Sequence, residues 1–250
     1  MITPNHLFEE AAFADAEYRK SGDTLAVNAR MFEKYSKPMH DWDWRQWGAK
    51  RLGPVVGCDV LDYGCGQGEE TIYLALMGAR VTAIDISSVG IEYTRQRAKL
   101  AGVNVDVRQM RCDPTDFTDA SFDVVHGFGI LHHVGLEIGL KETRRLLRQG
   151  GRALFFEHMG NIDVWERLKK TGSGAARYTN RERPLRWNEV AAHQEGWSRF
   201  EVKAFHVSAR IRKRIRLFGR DAFLRLDDTL LKAIPGLVTY ASGMVIVLQK

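Results

Sequence analysis

From residue 58 onward the chain alternates short apolar runs with stretches of helical period, and this alternation most limits the folds open to it. The runs are CDVLDY (58–63), RVTAID (80–85), VNVDVRQM (103–110), FDVVHG (122–127) and RALFFEH (152–158). The helical stretches carry their own punctuation. Thr71 to Met77 stops at Gly78, Ser87 is placed to cap a helix that runs to Ala101 and ends at Gly102, and Leu136, Leu140, Thr143 and Leu147 share one helical face before Gly150-Gly151. Apolar runs separated by helices predict an α/β, doubly wound, mostly parallel sheet with helices on both faces. FEVKAFHV (200–207) and GMVIVLQK (243–250) could finish that sheet.

Two regions stand outside the alternation. Residues 1–57 hold an acidic amphipathic start and an aromatic-rich stretch, EKYSKPMHDWDWRQW, and read as an N-terminal helical cap in which Trp42, Trp44 and Trp47 pack a helix onto the domain. Residues 58–250 read as one domain with a helical insertion at about 208–240. That insertion carries the chain's charge imbalance: seven basic residues lie between Ser208 and Arg225 against Asp221 alone, a local excess equal to the net +6 of the whole chain. A general nucleic-acid surface would spread its basic residues over a face, so the cluster calls for a local role. As a helix it could gather an anionic substrate or touch a membrane surface; as a solvated amphipathic lid it would do neither. Three cysteines with no CxxC spacing argue against a disulfide framework and a structural zinc site, and no bound metal is expected. The start lacks the order of a signal peptide and no run is long enough for a membrane span, so a cytoplasmic protein is expected.

The stretch LDYGCGQGEE (61–70) follows the first run and leads into a helix. A glycine-rich strand-to-helix turn admits a ligand close to the backbone and offers it free N–H groups. Gly64, Gly66 and Gly68 form G-x-G-x-G, one residue short of the dinucleotide fingerprint. Glu69 and Glu70 suit the helix dipole but would repel a pyrophosphate, and Asp62 adds further negative charge. Asp85 ends the next run, where a carboxylate can accept from both hydroxyls of a ribose. A ligand with a ribose, a positive charge and no phosphate is implied, and S-adenosyl-L-methionine has all three properties.

Together, VLDYGCGQGEETIYLALMGARVTAIDIS, SFDVVHGFGILHHV and RRLLRQGGRALFFEH resemble the class I, Rossmann-like S-adenosylmethionine-dependent methyltransferases of small-molecule type. The resemblance is strong over Cys58 to His158. It implies a seven-stranded sheet whose last strand is antiparallel, Gly64 and Gly66 against the methionine part of the cofactor, and Asp62 near its amino group. It also places Asp85 on the ribose, Ile86 on the adenine and the backbone near Gly127 along the methionine. Where relatives often carry Asp and then a small residue for the adenine, this chain has Arg111 and Cys112, so Asp113 or the Cys112 backbone would supply that contact.

Methyl transfer to a hydroxyl or a protonated amine needs a group that takes a proton, and histidine is the first suspect. His132, His133 and His158 fall at strand ends where parallel sheets put their ligands and are the catalytic candidates; His126, inside a strand, reads as core or cofactor-facing. By resemblance, Glu157 matches an acidic position common at this strand end, His158 stands where many relatives have proline, and the segment after the fifth strand builds the substrate pocket. Glu157, Trp165, Tyr178 and Arg181 are therefore the substrate-binding candidates, with Trp187 beside them. The expected function is methylation of an O or N atom of a metabolite, of the kind found in natural-product and quinone pathways. The alternatives are an RNA methyltransferase using the arginine cluster and a non-catalytic cofactor-binding protein. Against RNA, the fourth run ends HGFGIL rather than in the Asn/Asp-Pro-Pro-aromatic pattern of enzymes that methylate exocyclic nitrogens, and no stable nucleic-acid partner is expected.

Overall fold

The computed structural model describes residues 4–21, 25, 40–160, 184–208 and 219–250. Among these residues two helices come first, α1 (Pro4–Ser21) and α2 (Trp44–Leu52). They are followed by β1 (Asp59–Tyr63), α3 (Glu69–Leu76), β2 (Arg80–Asp85), α4 (Ser88–Ala101), β3 (Asp106–Gln109), β4 (Phe122–Phe128), α5 (Leu131–Val134), α6 (Leu136–Leu146) and β5 (Leu147–His158). The remainder is α7 (Trp187–Ala191), β6 (Arg199–Phe205), α8 (Arg220–Ala233), a 3-10 turn (Pro235–Tyr240) and β7 (Gly243–Gln249).

The strands form one sheet in the order β3-β2-β1-β4-β5-β7-β6. The first five pair in parallel, while β7 runs antiparallel to both β5 and β6. Strand order reverses between β1 and β4, so the carboxyl ends of these two strands open the crevice where such sheets bind ligands.

Successive side chains of a strand face opposite ways, and both faces here are covered. Leu61, Tyr63, Val125, Phe155 and Ile246 belong to one core, and Val60, Val124, Leu154, Phe156 and Val245 to the other. Trp47 is buried in the second core and Trp44 meets Phe128, Phe156 and His206 edge-on, so the tryptophans pack α2 onto the sheet.

The helix punctuation is realised locally. Ser87 accepts from Gly90 N at 2.9 Å, and Gly102 ends α4 with φ 66°. The fifth strand differs from expectation: it starts at Leu147, which pairs with Phe122, so the helical face ends one residue earlier. The Gly150-Gly151 break lies inside the strand, where Gly150 turns with φ 75° and the register with β4 shifts. The third strand is shorter than its apolar run, because only Asp106–Gln109 has β2 beside it.

Candidate active site

The glycine turn is held to the end of β2, where Gly64 N and Cys65 N both donate to the Ile84 carbonyl at 3.0 and 2.9 Å. All three glycines have positive φ, at 77°, 54° and 83°. Each also faces a close neighbour. A Cβ on Gly64 would lie 2.5 Å from Ile130 Cδ1, one on Gly66 3.0 Å from the Tyr18 hydroxyl, and one on Gly68 2.6 Å from Thr94 Oγ1. The turn therefore needs glycine for its backbone and again for what it touches. Gly127, which lies in β4, shares only the second need, since a Cβ there would meet Phe155 and Ile130 at 2.7 and 2.8 Å.

Over the turn lies a cavity of about 290 Å³ lined by Asp62, Gly64, Gly66, Glu69, Glu70 and Tyr18, with Arg45 and Phe128 beside them. Asp62 is 1% exposed. It accepts from Thr71 Oγ1 at 2.5 Å, and its other oxygen stands 3.3 Å from His126 Nδ1. Of the two senses expected for His126, core or cofactor-facing, the structure shows a residue 2% exposed that stands beside Asp62. Beyond it, His126 Nε2 is 3.9 Å from Glu70, which pairs with Arg45.

Asp85 is buried at the tip of β2 and accepts from Gly66 N and Ser87 N, both at 2.8 Å. Burial raises its carboxyl above the ordinary 3.8; the two amides and the nearby His133 partly offset this. Two residues of α1 that sequence reasoning passed over complete this end of the site. Asp15 accepts from Ser87 Oγ at 2.5 Å, Ser88 Oγ at 3.2 Å and Val89 N at 3.2 Å, which caps α4 a second time. Tyr18, three residues on and so on the same helical face, lies between the glycine turn and Gly90 beside Asp85. Burial and Asp85 together push its hydroxyl far above the usual tyrosine range. The only sequence signal for this pair is their i, i+3 spacing on an amphipathic helix.

For the adenine end, Ile86 is half-buried and its carbonyl accepts from Gln109 Nε2 at 3.1 Å. Arg111 is exposed, Asp113 is half-buried, and Cys112 is buried with its carbonyl taken by the Tyr63 hydroxyl.

The opposite wall of the crevice is built by β4, α5 and β5. Glu157 is 1% exposed, and its Oε1 accepts from Ile130 N at 2.9 Å and Leu131 N at 2.7 Å, while Oε2 meets His132 Nδ1 at 2.8 Å. This corrects the substrate-binding expectation for Glu157: it is buried and both its oxygens are engaged, one by the amides of the β4–α5 turn and one by His132. The His132 and His133 rings lie 4.2 Å apart, and His158 is 6.0 Å from His132 and edge-on to Phe128. His133 and His158 are exposed. Trp165, Tyr178 and Arg181 fall outside the described residues, as do Arg210 to Arg216. Two arginines of the basic run that are described turn to α2 and its approach: Arg220 is 3.9 Å from Asp43 and Arg225 lies over Trp42 at 5.2 Å. Trp187 packs against the first core.

The donor set fits S-adenosylmethionine. Acids surround the turn where a cation would lie, and the Asp85 carboxylate ends β2 beside Tyr18. A seven-stranded sheet in this order, with an acidic strand end and a glycine turn at its switch point, defines the class I, Rossmann-like methyltransferase fold. Residues 60–151 match the family model described as a methyltransferase domain. Among curated relatives, a ubiquinone biosynthesis O-methyltransferase of Methylocella silvestris is 40% identical over 100 residues, 39% of each chain. A demethylmenaquinone methyltransferase of Tropheryma whipplei is 37% identical over 143 residues, 57% of this chain and 59% of its own. The chain thus spans about half the length, or less, of the curated relatives it matches. Among solved structures, a SAM-dependent methyltransferase from Aquifex aeolicus superposes with TM-score 0.53 at 15% identity, over 90% of this chain and 99% of that one. Phosphoethanolamine N-methyltransferase 2 of Haemonchus contortus, in complex with S-adenosyl-L-methionine, gives 0.56 at 18% identity, over 80% and 50%. These two share the fold. No helix among the described residues is long and apolar enough to cross a membrane.

Proposed function

We propose that the protein is an S-adenosylmethionine-dependent methyltransferase that transfers a methyl group to an oxygen or nitrogen of a small, quinol-like acceptor, with His132 taking the acceptor's proton. The observation that carries this reading is the Glu157–His132 pair at 2.8 Å in the β4–α5 turn, whose Ile130 packs against Gly64. The names of the quinone-pathway relatives support the acceptor class. The bound cofactor supplies an electrophilic methyl carbon on a sulfonium, displaced in line.

This chain's residues do the rest. Asp62 and Glu69 place negative charge where a cation lies, and Asp85 in its ionised form receives ribose hydroxyls. Glu157 accepts a hydrogen bond from the Nδ1–H of His132, which fixes the tautomer whose Nε2 accepts a proton. A phenolic hydroxyl ionises near pH 10, so at neutral pH a base beside it increases the fraction of attacking oxyanion. Phe128 and His158 offer ring surfaces for a planar acceptor. Cytoplasmic location and action on a metabolite belong to the same proposal.

The test is methyl transfer from label-bearing cofactor by the full chain, offered in parallel a catechol or hydroquinone and total cellular RNA. Label in an organic-extractable product supports the reading. Salt-sensitive label in RNA alone would refute it in favour of a nucleic-acid acceptor.

A further inference from the structure

A second cavity, of about 400 Å³, lies between α2 and α3 on the side of the sheet that carries the second core. Its walls are Ala49, Leu52, Val55, Leu74, Met77 and Leu154, its outer rim bears Lys50, and its inner end is formed by Glu70 and His126. The volume is within the range of pockets that hold drug-sized molecules. His126 and Leu154 each sit two residues before Phe128 and Phe156 on the same strand faces, so this space lies about 7 Å deeper than the aromatic layer of the acceptor wall. Glu70 belongs to both cavities.

The inner end is chemically incomplete. Glu70 is 7% exposed; one oxygen pairs with Arg45, but Oε2 has no hydrogen-bond partner, and the nearest cationic candidate, His126 Nε2, stands 3.9 Å off. An acceptor buried without a donor costs about 1–3 kcal/mol, more when charged, and such groups are rare unless something satisfies them. The other five wall residues named above are fully apolar and Met77 is nearly so, and Tyr73 adds one hydroxyl-bearing ring to the lining.

We propose that this cavity is a ligand site for an elongated apolar molecule that carries one N–H or O–H donor at its leading end, the donor bonding Glu70 Oε2 and the apolar body filling the space between α2 and α3. The site is separate from the crevice over the glycine turn, and its occupant need not be the methyl acceptor.

N-phenyl-1-naphthylamine has this form, an apolar body with a single N–H, and it brightens on leaving water. Titrated into the full chain, it is expected to bind saturably with one site. Ala49→Phe on α2 and Met77→Phe at the end of α3 narrow the space from opposite walls, at positions only half-buried, and each is expected to weaken binding at least about tenfold while far-ultraviolet circular dichroism and melting stay near wild type. 1-Benzylnaphthalene, in which a methylene replaces the N–H, is expected to displace the probe with an inhibition constant at least about tenfold above the probe's own Kd, as the unmet acceptor requires. Absence of saturable binding to folded protein would overturn the site. Binding indifferent to both substitutions would overturn its location, and equal competition by the hydrocarbon would overturn the role of Glu70. Since none of these measurements involves methyl transfer, their failure leaves the catalytic proposal standing, and the reverse holds as well.

Discussion

Glu157→Gln separates the two duties of this side chain. In the wild type, Oε1 receives two backbone amides, at 2.9 and 2.7 Å, and Oε2 receives His132 Nδ1 at 2.8 Å. Glutamine has one acceptor and one donor end. Turning its NH2 toward Ile130 N and Leu131 N would set donor against donor and strand two buried amides, at about 1–3 kcal/mol each. Keeping the amide oxygen on the backbone instead points NH2 at Nδ1, and the imidazole answers by carrying its proton on Nε2. Every group then stays bonded, so this orientation wins. The fold is retained, with a cost of about 1 kcal/mol that for a chain of this size shifts melting by roughly 2–4 °C. The nitrogen that should accept the acceptor's proton is now protonated, and the contribution of a general base, about 10²–10⁴ in rate or roughly 3–5 kcal/mol in barrier, is lost. Initial rates of label transfer to a hydroquinone are compared for wild type, Glu157→Gln, His132→Ala and the double variant. The three variants are expected to fall to one similar low rate, because the two residues act as a unit. With a phenol already ionised at the assay pH the deficit is expected to shrink toward unity. A Glu157→Gln enzyme within about threefold of wild type on hydroquinone would refute the assignment.

The other perturbations act on the cofactor side. Because burial lifts the carboxyl of Asp85 above 3.8 and ribose hydroxyls bind the ionised form, affinity for S-adenosylhomocysteine should fall as pH drops through that raised value, and Asp85→Ala should lose at least about tenfold and flatten the pH dependence; calorimetry showing pH-independent wild-type binding would sink this. Gly64→Ala forces φ 77° on a residue with a Cβ and drives that Cβ to 2.5 Å from Ile130, so about 2–5 kcal/mol should be lost in denaturant titration, and Ile130→Ala in the same chain should return at least about 1 kcal/mol of it; strict additivity would show that the contact is not the cause.

The strands and helix ends were legible because their causes are local. RVTAID is apolar where β2 is buried, Ser87 reaches an amide three residues away, and Gly102 takes a backbone conformation that other residues resist. The site was legible only in part. Asp62, Gly66 and Asp85 converge as expected because a strand-turn-helix unit brings its own ends together. The partners 25 to 75 residues apart were not legible, since nothing in a period of 2 or 3.6 says that Asp15 will cap Ser87 or that Glu157 will turn to His132. Glu157 misled for a physical reason: an acid at a strand end can face the crevice or the turn beneath it, and the two open amides of Ile130 and Leu131 decide for the turn. The early start of β5 is of the same origin, since Leu147 fits a helical face and is claimed instead by Phe122.

The position of β7 bears on how the protein stays dispersed. Its residues Met244 to Leu248, MVIVL, are at most 1% exposed and have the apolar, β-branched, uncharged composition that stacks into cross-β fibrils when left open. They are flanked by β5 and by β6, never at a sheet edge. The two strands that do form edges are poor templates for a second copy. β3 is four residues long with Asp106 and Arg108 bound to each other, and β6 presents Arg199, Glu201 and Lys203, tied to Arg51 and Asp228 by ion pairs. β6 is thus a charged guard over a sticky strand. Substitutions that loosen its hold on β7 are expected to be felt as polymerisation, since they uncover MVIVL.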